Sequence, residues 1–234
     1  LQKKKILYKD DNFLAIDKSF DVKMASDSLE DVVTVDKQLR ASFPELCDNS
    51  VFYGFRFQQR LDNATSGVVL ISLNKSSAAK FAKSLKKRNV LKHYLALVHG
   101  HVEPTQFMIN VPLCRHIREE NEPHKMKVAE DELDENSKDC QTFGVKLETG
   151  TYNGSPATKL LLVLFTGRTH QLRVHCKHID HLIVGDYTYS NRQDTEPYRM
   201  MLHSYRLRIP ISQTQTLDIK TDNDPFLSHF DPNW

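Results

Sequence analysis

Three polar clusters interrupt otherwise apolar stretches of this chain, and each holds residue types that could do chemistry. The first is Gln59-Arg60-Leu61-Asp62-Asn63-Ala64-Thr65-Ser66-Gly67. A carboxylate on a loop between two apolar strands is well placed to act as nucleophile or base. The Thr-Ser-Gly end offers hydroxyls and a tight turn, although composition alone favours Asp62 as a cap for the loop backbone. The second is Lys92-His93-Tyr94. Alternation along a strand sets Lys92 and Tyr94 on one face and His93 on the other, and by itself Tyr94 reads as a core aromatic. The third runs from Phe165 to His175, where a Gly turn leads into a donor-rich helix. A helix start carrying Arg168 and His170 could hold a phosphate. Arg173, a turn further on, could pair with a buried carboxylate. The plainer alternative is an ordinary capped helix with surface bases.

The elements that must position these clusters are legible in the hydrophobic pattern. Ile6-Leu7-Tyr8 and Phe13-Leu14-Ala15-Ile16 read as paired strands around Asp10-Asp11-Asn12. Val32, Val35, Leu39 and Phe43 recur at helical spacing and predict a helix over 32–43. Residues 51–57 and 68–73 read as strands, with the Asp62 loop between them. Ser76 predicts the N-cap of a helix through Arg88, whose outer face carries Lys80, Lys83, Lys86, Lys87 and Arg88. Strands are expected at 91–98, 140–148, 158–165, 200–209 and 216–221, with a helix over 169–179. This order argues for an α+β fold with mixed, mainly antiparallel strands, and no linker splits the chain.

Composition limits the alternatives. The chain has 234 residues, 39% hydrophobic and 26% charged, with 8 Gly and 9 Pro, which excludes collagen-like, low-complexity and disordered classes. No stretch approaches the roughly 18 apolar residues of a membrane span. Cys47, Cys114, Cys140 and Cys176 are scattered without a C-x-x-C pair. Reduced thiols in an intracellular protein are the expectation, with the cytoplasm favoured and nucleus or mitochondrion open. His175, Cys176, His178 and His181 do not match a common zinc spacing, so no metal is expected. No G-x-S-x-G elbow supports a hydrolase. The net charge of +2 is unevenly spread: residues 119–139 hold nine acids against three bases. That segment therefore carries −6 and the remaining residues +8, a basic body with an acidic insertion over about 115–139. Such a body suits a nucleic-acid partner.

The three clusters, in this order, resemble the RluA-like class of RNA pseudouridine synthases. The family's catalytic loop, His-Arg-Leu-Asp followed by two variable residues and Thr-Ser-Gly, stands here as Gln59 to Gly67. Its Lys-x-Tyr strand stands as Lys92-His93-Tyr94, and its Gly-Arg-Thr-His-Gln-Leu-Arg-Val-His pattern is intact from Gly167 to His175. Ile183-Val184-Gly185-Asp186, close to the family's Pro-Ile-x-Gly-Asp, and a closing Met201-Leu202-His203-Ser204 follow. The resemblance covers roughly residues 5–228. Tyr53 to Phe57, Arg199 to His203 and Asp224 to Leu227 point to a eukaryotic subgroup. Two positions depart from the pattern: Gln59 replaces the usual His, and Lys18-Ser19 replaces Lys-Pro.

What the resemblance implies is specific. The fold would be one pseudouridine synthase catalytic domain, a mixed sheet flanked by helices with the active-site cleft between two halves. No S4-type domain is expected within this sequence. Asp62 would be the catalytic carboxylate, Tyr94 the aromatic face for the target base, and Arg173 the basic partner of the aspartate. Arg60 would fill the space left in the RNA by a flipped base, and Arg168 and His170 would bind RNA. The reaction is a redox-neutral isomerisation of uridine to pseudouridine that requires no cofactor or metal, carried out by a monomer on RNA. The readings left open are an RNA-binding or RNA-chaperone protein that has lost catalysis, and a carboxylate-dependent nucleoside N-glycosylase.

Overall fold

The computed structural model describes residues 5–28, 30–116, 124–129, 134, 136–212, 214–226 and 230–232. The described residues form thirteen strands and three α-helices. The chain divides into two compact units, Leu1–Lys92 with Ser204–Asn223 and His93–His203 with Asp224–Trp234.

In the first unit, β1 (Lys5–Lys9) and β2 (Phe13–Lys18) form an antiparallel hairpin. The Asp10 carboxylate closes its turn, accepting the backbone N–H of Asn12 at 2.8 Å and of Phe13 at 2.6 Å. β2 pairs with β4 (Ser66–Ser72), from Phe13 opposite Ser72 to Lys18 opposite Gly67. Every residue of β4 is buried, as a central strand covered on both faces must be. The short β3 (Arg56–Phe57) pairs with the far end of β4. β11 (Leu202–Pro210) follows β4 in the sheet and carries β12 (Thr216–Lys220) antiparallel to it. Gly67, at φ +110°, lets β4 approach β11: a Cβ there would collide with the backbone carbonyl of Ser204. Beside α1 (Val35–Ser42), the unit holds α2 (Lys75–Lys86). α2 buries Phe81 among Phe13, Ala15, Val68, Leu70, Leu207 and Ile209. Its lysines stay in water.

Three expectations in this unit shift, each for a local reason. The helix expected over 32–43 begins at Val35, because Thr34 is held extended by a bridge to Lys23. The cap of α2 is Asn74 rather than Ser76: its side chain accepts the Ser77 N–H at 2.9 Å in a capping box. Residues 51–55 are a turn rather than a strand. Asp48 accepts the Ser50 N–H at 2.8 Å, and Gly54 closes the turn at φ +74°.

The second unit centres on β5 (Leu91–His99), β9 (Thr142–Tyr152) and β10 (Ser155–Leu164). β9 and β10 form a long hairpin. Its turn residues Asn153 and Gly154 both have positive φ, as a two-residue primed turn requires. β6 (Gln106–Ile109) and β13 (Asp231–Pro232) also pair with β9. β7 (Leu113–Arg115) and β8 (Met126–Val128) pair as an antiparallel hairpin, with β8 and the last residue of β7 inside the segment read as an insertion. Residues 117–123, 130–133 and 135 of that segment, most of its acidic residues among them, lie outside the described residues. The hairpin packs on α3 (Gln171–His178) through Leu113, Val174, Tyr189, Met126 and Val128. The architecture is α+β, as the order of elements predicts. No described helix is long and apolar enough to cross a membrane.

Candidate active site

The Asp62 loop joins β3 to β4 in the first unit. Leu61 is buried and anchors it, Asp62 is half-buried, and Arg60 is exposed. The Thr65 N–H donates to the Asp62 carbonyl at 3.1 Å, so residues 62–65 form a closed turn. An unusual buried cation fixes that turn. Lys18, at the end of β2, is 0% exposed. Its ammonium donates to the carbonyls of Ser19 (3.0 Å), Val22 (2.6 Å) and Asn63 (2.9 Å). An ammonium has three N–H donors, and here three backbone oxygens receive them. The chain immediately after Asp62 is thereby tied to β2. At the start of the loop, Ser72 donates to Gln58 Oε1 at 2.7 Å, while Gln59 reaches the Val68 carbonyl only at 3.5 Å. Thr65 and Ser66 are buried at the head of β4 rather than displayed in the loop. The Thr65 hydroxyl has no hydrogen-bond partner among the described residues.

In the second unit Tyr94 is buried on β5, two residues after the half-buried Lys92, whose pKa burial lowers. The Gly167–His175 segment is built largely to hold itself in place. Gln171 uses both ends of its amide. Its oxygen accepts from Thr166 Oγ1 (2.7 Å) and the Arg168 N–H (3.1 Å), and its NH₂ donates to the Gln141 carbonyl (3.1 Å) and Thr142 Oγ1 (3.0 Å). His175 Nε2 lies 3.2 Å from the Val111 carbonyl and Nδ1 lies 2.9 Å from Thr142 Oγ1. Burial pushes its pKa down to about 4. The neutral ring therefore donates from Nε2 and accepts the Thr142 proton at Nδ1. His175 and Cys176, weighed as metal ligands, are interior groups, and burial pushes the Cys176 thiol up to about 12. Among the described residues no group of three or more His, Cys, Asp or Glu could hold a metal.

Arg173 is 7% exposed and grips Asp186, 1% exposed, in a bidentate pair. Nε donates to one carboxylate oxygen and Nη2 to the other, both at 2.7 Å. The motifs alone leave Asp186 without a role; its place in Gly-Asp after the Ile183-Val184 run is the signal that points to it. The Tyr189 ring lies against the guanidinium, 4.9 Å from its carbon to the ring centroid. His170, at the N-cap of α3, adopts φ +54° and sets Nδ1 3.0 Å from the Tyr189 hydroxyl. A non-glycine residue in this left-handed region is strained and is held by its surroundings. Arg168 is exposed on the turn before α3. Asp62 and Arg60 thus belong to the first unit, whereas Tyr94, Arg168, His170 and Arg173 belong to the second.

The chain thus carries a carboxylate turn pinned by a buried lysine in its first unit and, in its second, a buried Arg173–Asp186 pair whose arginine lies on α3 behind the Gly167–His170 turn. The RNA pseudouridylate synthase family profile matches residues 12–178, and the chain belongs to that family. RNA pseudouridylate synthase domain-containing protein 1 of Danio rerio is 43% identical over 234 residues, covering 100% of this chain and 79% of the relative. The dual-specificity RNA pseudouridine synthase RluA of Escherichia coli is 31% identical over 206 residues, covering 87% and 85%. The solved structure of human RNA pseudouridylate synthase domain containing 1 superposes with a TM-score of 0.82 at 38% identity, covering 98% of this chain and 89% of that one. Human RNA pseudouridylate synthase domain containing 4, at 20% identity and a TM-score of 0.73, shares the fold.

Proposed function

We propose that the chain isomerises specific uridines in RNA to pseudouridine, with Asp62 as the catalytic carboxylate. The observation that carries this reading is the clamp on its turn: a fully buried lysine holds the carbonyl of the next residue. Placing a reacting group by a fixed backbone is what positional catalysis needs. In the reaction the N1–C1′ bond breaks and the uracil turns. C5 then bonds C1′, H5 leaves as a proton, and N1 ends up protonated. Asp62 serves either as nucleophile at C1′ or as base at C2′; both use the ionised carboxylate.

A uridine within folded RNA must first leave its stack, at about a few kcal/mol. Arg60, exposed beside Asp62, is proposed to fill the vacated space. Tyr94 supplies an aromatic face on which the detached base can turn. Arg173, held by its pair with Asp186, is proposed as the positive charge that favours the ionised catalytic carboxylate, and Arg168 and His170 are proposed to contact the RNA backbone.

The test is pseudouridine mapping across cellular RNA from cells carrying the native protein or Asp62→Asn. Sites lost only with Asp62→Asn, at unchanged protein level and RNA binding, support the reading and name the substrate. Loss of no site, with the protein still bound to RNA, favours a non-catalytic RNA-binding or chaperone role. Release of free uracil would instead identify a glycosylase.

A further inference from the structure

Tyr189 joins three groups that lie on different segments of the second unit. It is 2% exposed. Its ring faces the Arg173 guanidinium at 4.9 Å and stands edge-on to the His170 ring, with centroids 5.7 Å apart and planes at 87°. Its hydroxyl accepts the backbone N–H of Met126, on β8, at 2.9 Å and lies 3.0 Å from His170 Nδ1. Its own N–H donates to Asp186 Oδ1 at 3.2 Å, the oxygen that also receives Arg173 Nη2. One side chain therefore meets the arginine on its ring face, the histidine at right angles and the β7–β8 hairpin through its hydroxyl, while its backbone supports the arginine's counter-ion.

A phenol has one proton and two lone pairs. The backbone N–H of Met126 occupies one lone pair, which leaves the hydroxyl one proton and one lone pair to offer His170. We propose that the phenol proton goes to His170 Nδ1, making Tyr189 the positioning residue that fixes this histidine's tautomer. His170 then carries its proton on Nε2, a donor directed away from Tyr189 and suited to a phosphate oxygen. The left-handed backbone at His170 is the conformation that this bond stabilises. The ring of Tyr189 acts separately, supporting Arg173 by a cation–π contact while Asp186 holds the guanidinium by two bonds. The arrangement also gives the β7–β8 hairpin a role: it orients His170 through one shared oxygen. The inference rests on the reading of the chain as an RNA-modifying enzyme, but its first test does not.

Tyr189→Phe keeps the ring and removes the shared oxygen. Long-range nitrogen–proton NMR of the imidazoles, assigned with His170→Gln, reads the tautomer directly. The native protein should show His170 protonated at Nε2 only, and Tyr189→Phe should show a mixture of both tautomers. In turnover on total RNA from cells lacking the protein, Tyr189→Phe should raise KM about three- to tenfold with kcat unchanged, the loss of one hydrogen bond. Tyr189→Leu, which also removes the ring, should lower kcat as well. A general loss of structure would not split KM from kcat in this way. A His170 protonated at Nδ1 in the native protein, or an unchanged tautomer in Tyr189→Phe, overturns the inference. A native protein that forms no pseudouridine overturns the functional reading and leaves the tautomer result standing.

Discussion

Replacing Asp186 by Asn exchanges one charged oxygen of the Arg173 pair for an amide. The two residues are 1% and 7% exposed, so little water can take over the lost interaction. Both of the arginine's bonds to this carboxylate are 2.7 Å long, the length of charge-assisted bonds. Removing one partner of a buried pair typically destabilises by about 3–5 kcal/mol, because the remaining charge is stranded. Asn keeps an acceptor for Nε or Nη2 but not both, so Asp186→Asn should fall at the low end, near ~3 kcal/mol, and Asp186→Ala at the high end. For a chain of this length each kcal/mol lowers Tm by about 2–4 °C, so Asp186→Asn should lower it by roughly 6–12 °C. The assay is thermal unfolding of Asp186→Asn, Arg173→Met and the double variant, followed by two optical probes because the chain has two compact units. Pairing predicts a double variant much less destabilised than the sum of the singles, with a coupling of about 2–3 kcal/mol. Additive single effects, or an Asp186→Asn protein melting within 2 °C of the native one, would refute the argument. Turnover of the double variant should still be severely reduced, because its stability returns without the guanidinium.

Lys18→Met removes the ammonium and strands three carbonyls. We expect a destabilisation of about 2–4 kcal/mol by urea unfolding and a turnover loss larger than that of Arg60→Ala, whose side chain is exposed. Thr65→Val removes a buried hydroxyl without a partner among the described residues. Stability should rise by about 1 kcal/mol, and a concurrent loss of turnover would assign that hydroxyl to the substrate. Burial holds His175 at about 4 and His203 at about 3, with Arg199 adding to the latter. Both folded values lie below the unfolded 6.5, so the unfolded chain binds more protons between them. The associated stability is full above pH 6.5 and is lost as pH falls toward 4, by roughly 3 kcal/mol for His175 alone. Urea unfolding from pH 7 to pH 4.5 should show this slope, and His175→Gln should flatten it; an equal slope in that variant would reject the assignment.

Where a residue's task depends on its own chemistry and its neighbours in sequence, it could be read before the fold was known. Val68 to Ile71 form an apolar run that had to be an interior strand, so the polar loop before it stood out, and with it Asp62. The Gln171 amide and the His175 ring belong to a segment whose density of donors marked it. Misreadings came where a local polar bond outweighed the hydrophobic pattern. Val51 to Phe55 are β-formers in a turn, because Asp48 captures the backbone and Gly54 supplies the positive φ. Val32 falls in helical spacing with Val35, Leu39 and Phe43, yet Thr34 is spent on a bridge to Lys23. The pairings that shape the candidate site were hidden for another reason. Lys18 lies 45 positions from Asn63 and Arg173 lies 13 from Asp186. A lysine at the end of a strand looks like a surface residue until the carbonyls around it are known. Such groups are tolerated inside only because folding brings their partners to them. A buried charge in this chain therefore marks a place where the fold is holding a segment still, and Lys18 and Arg173 lie beside the two segments on which the chemistry is proposed to act.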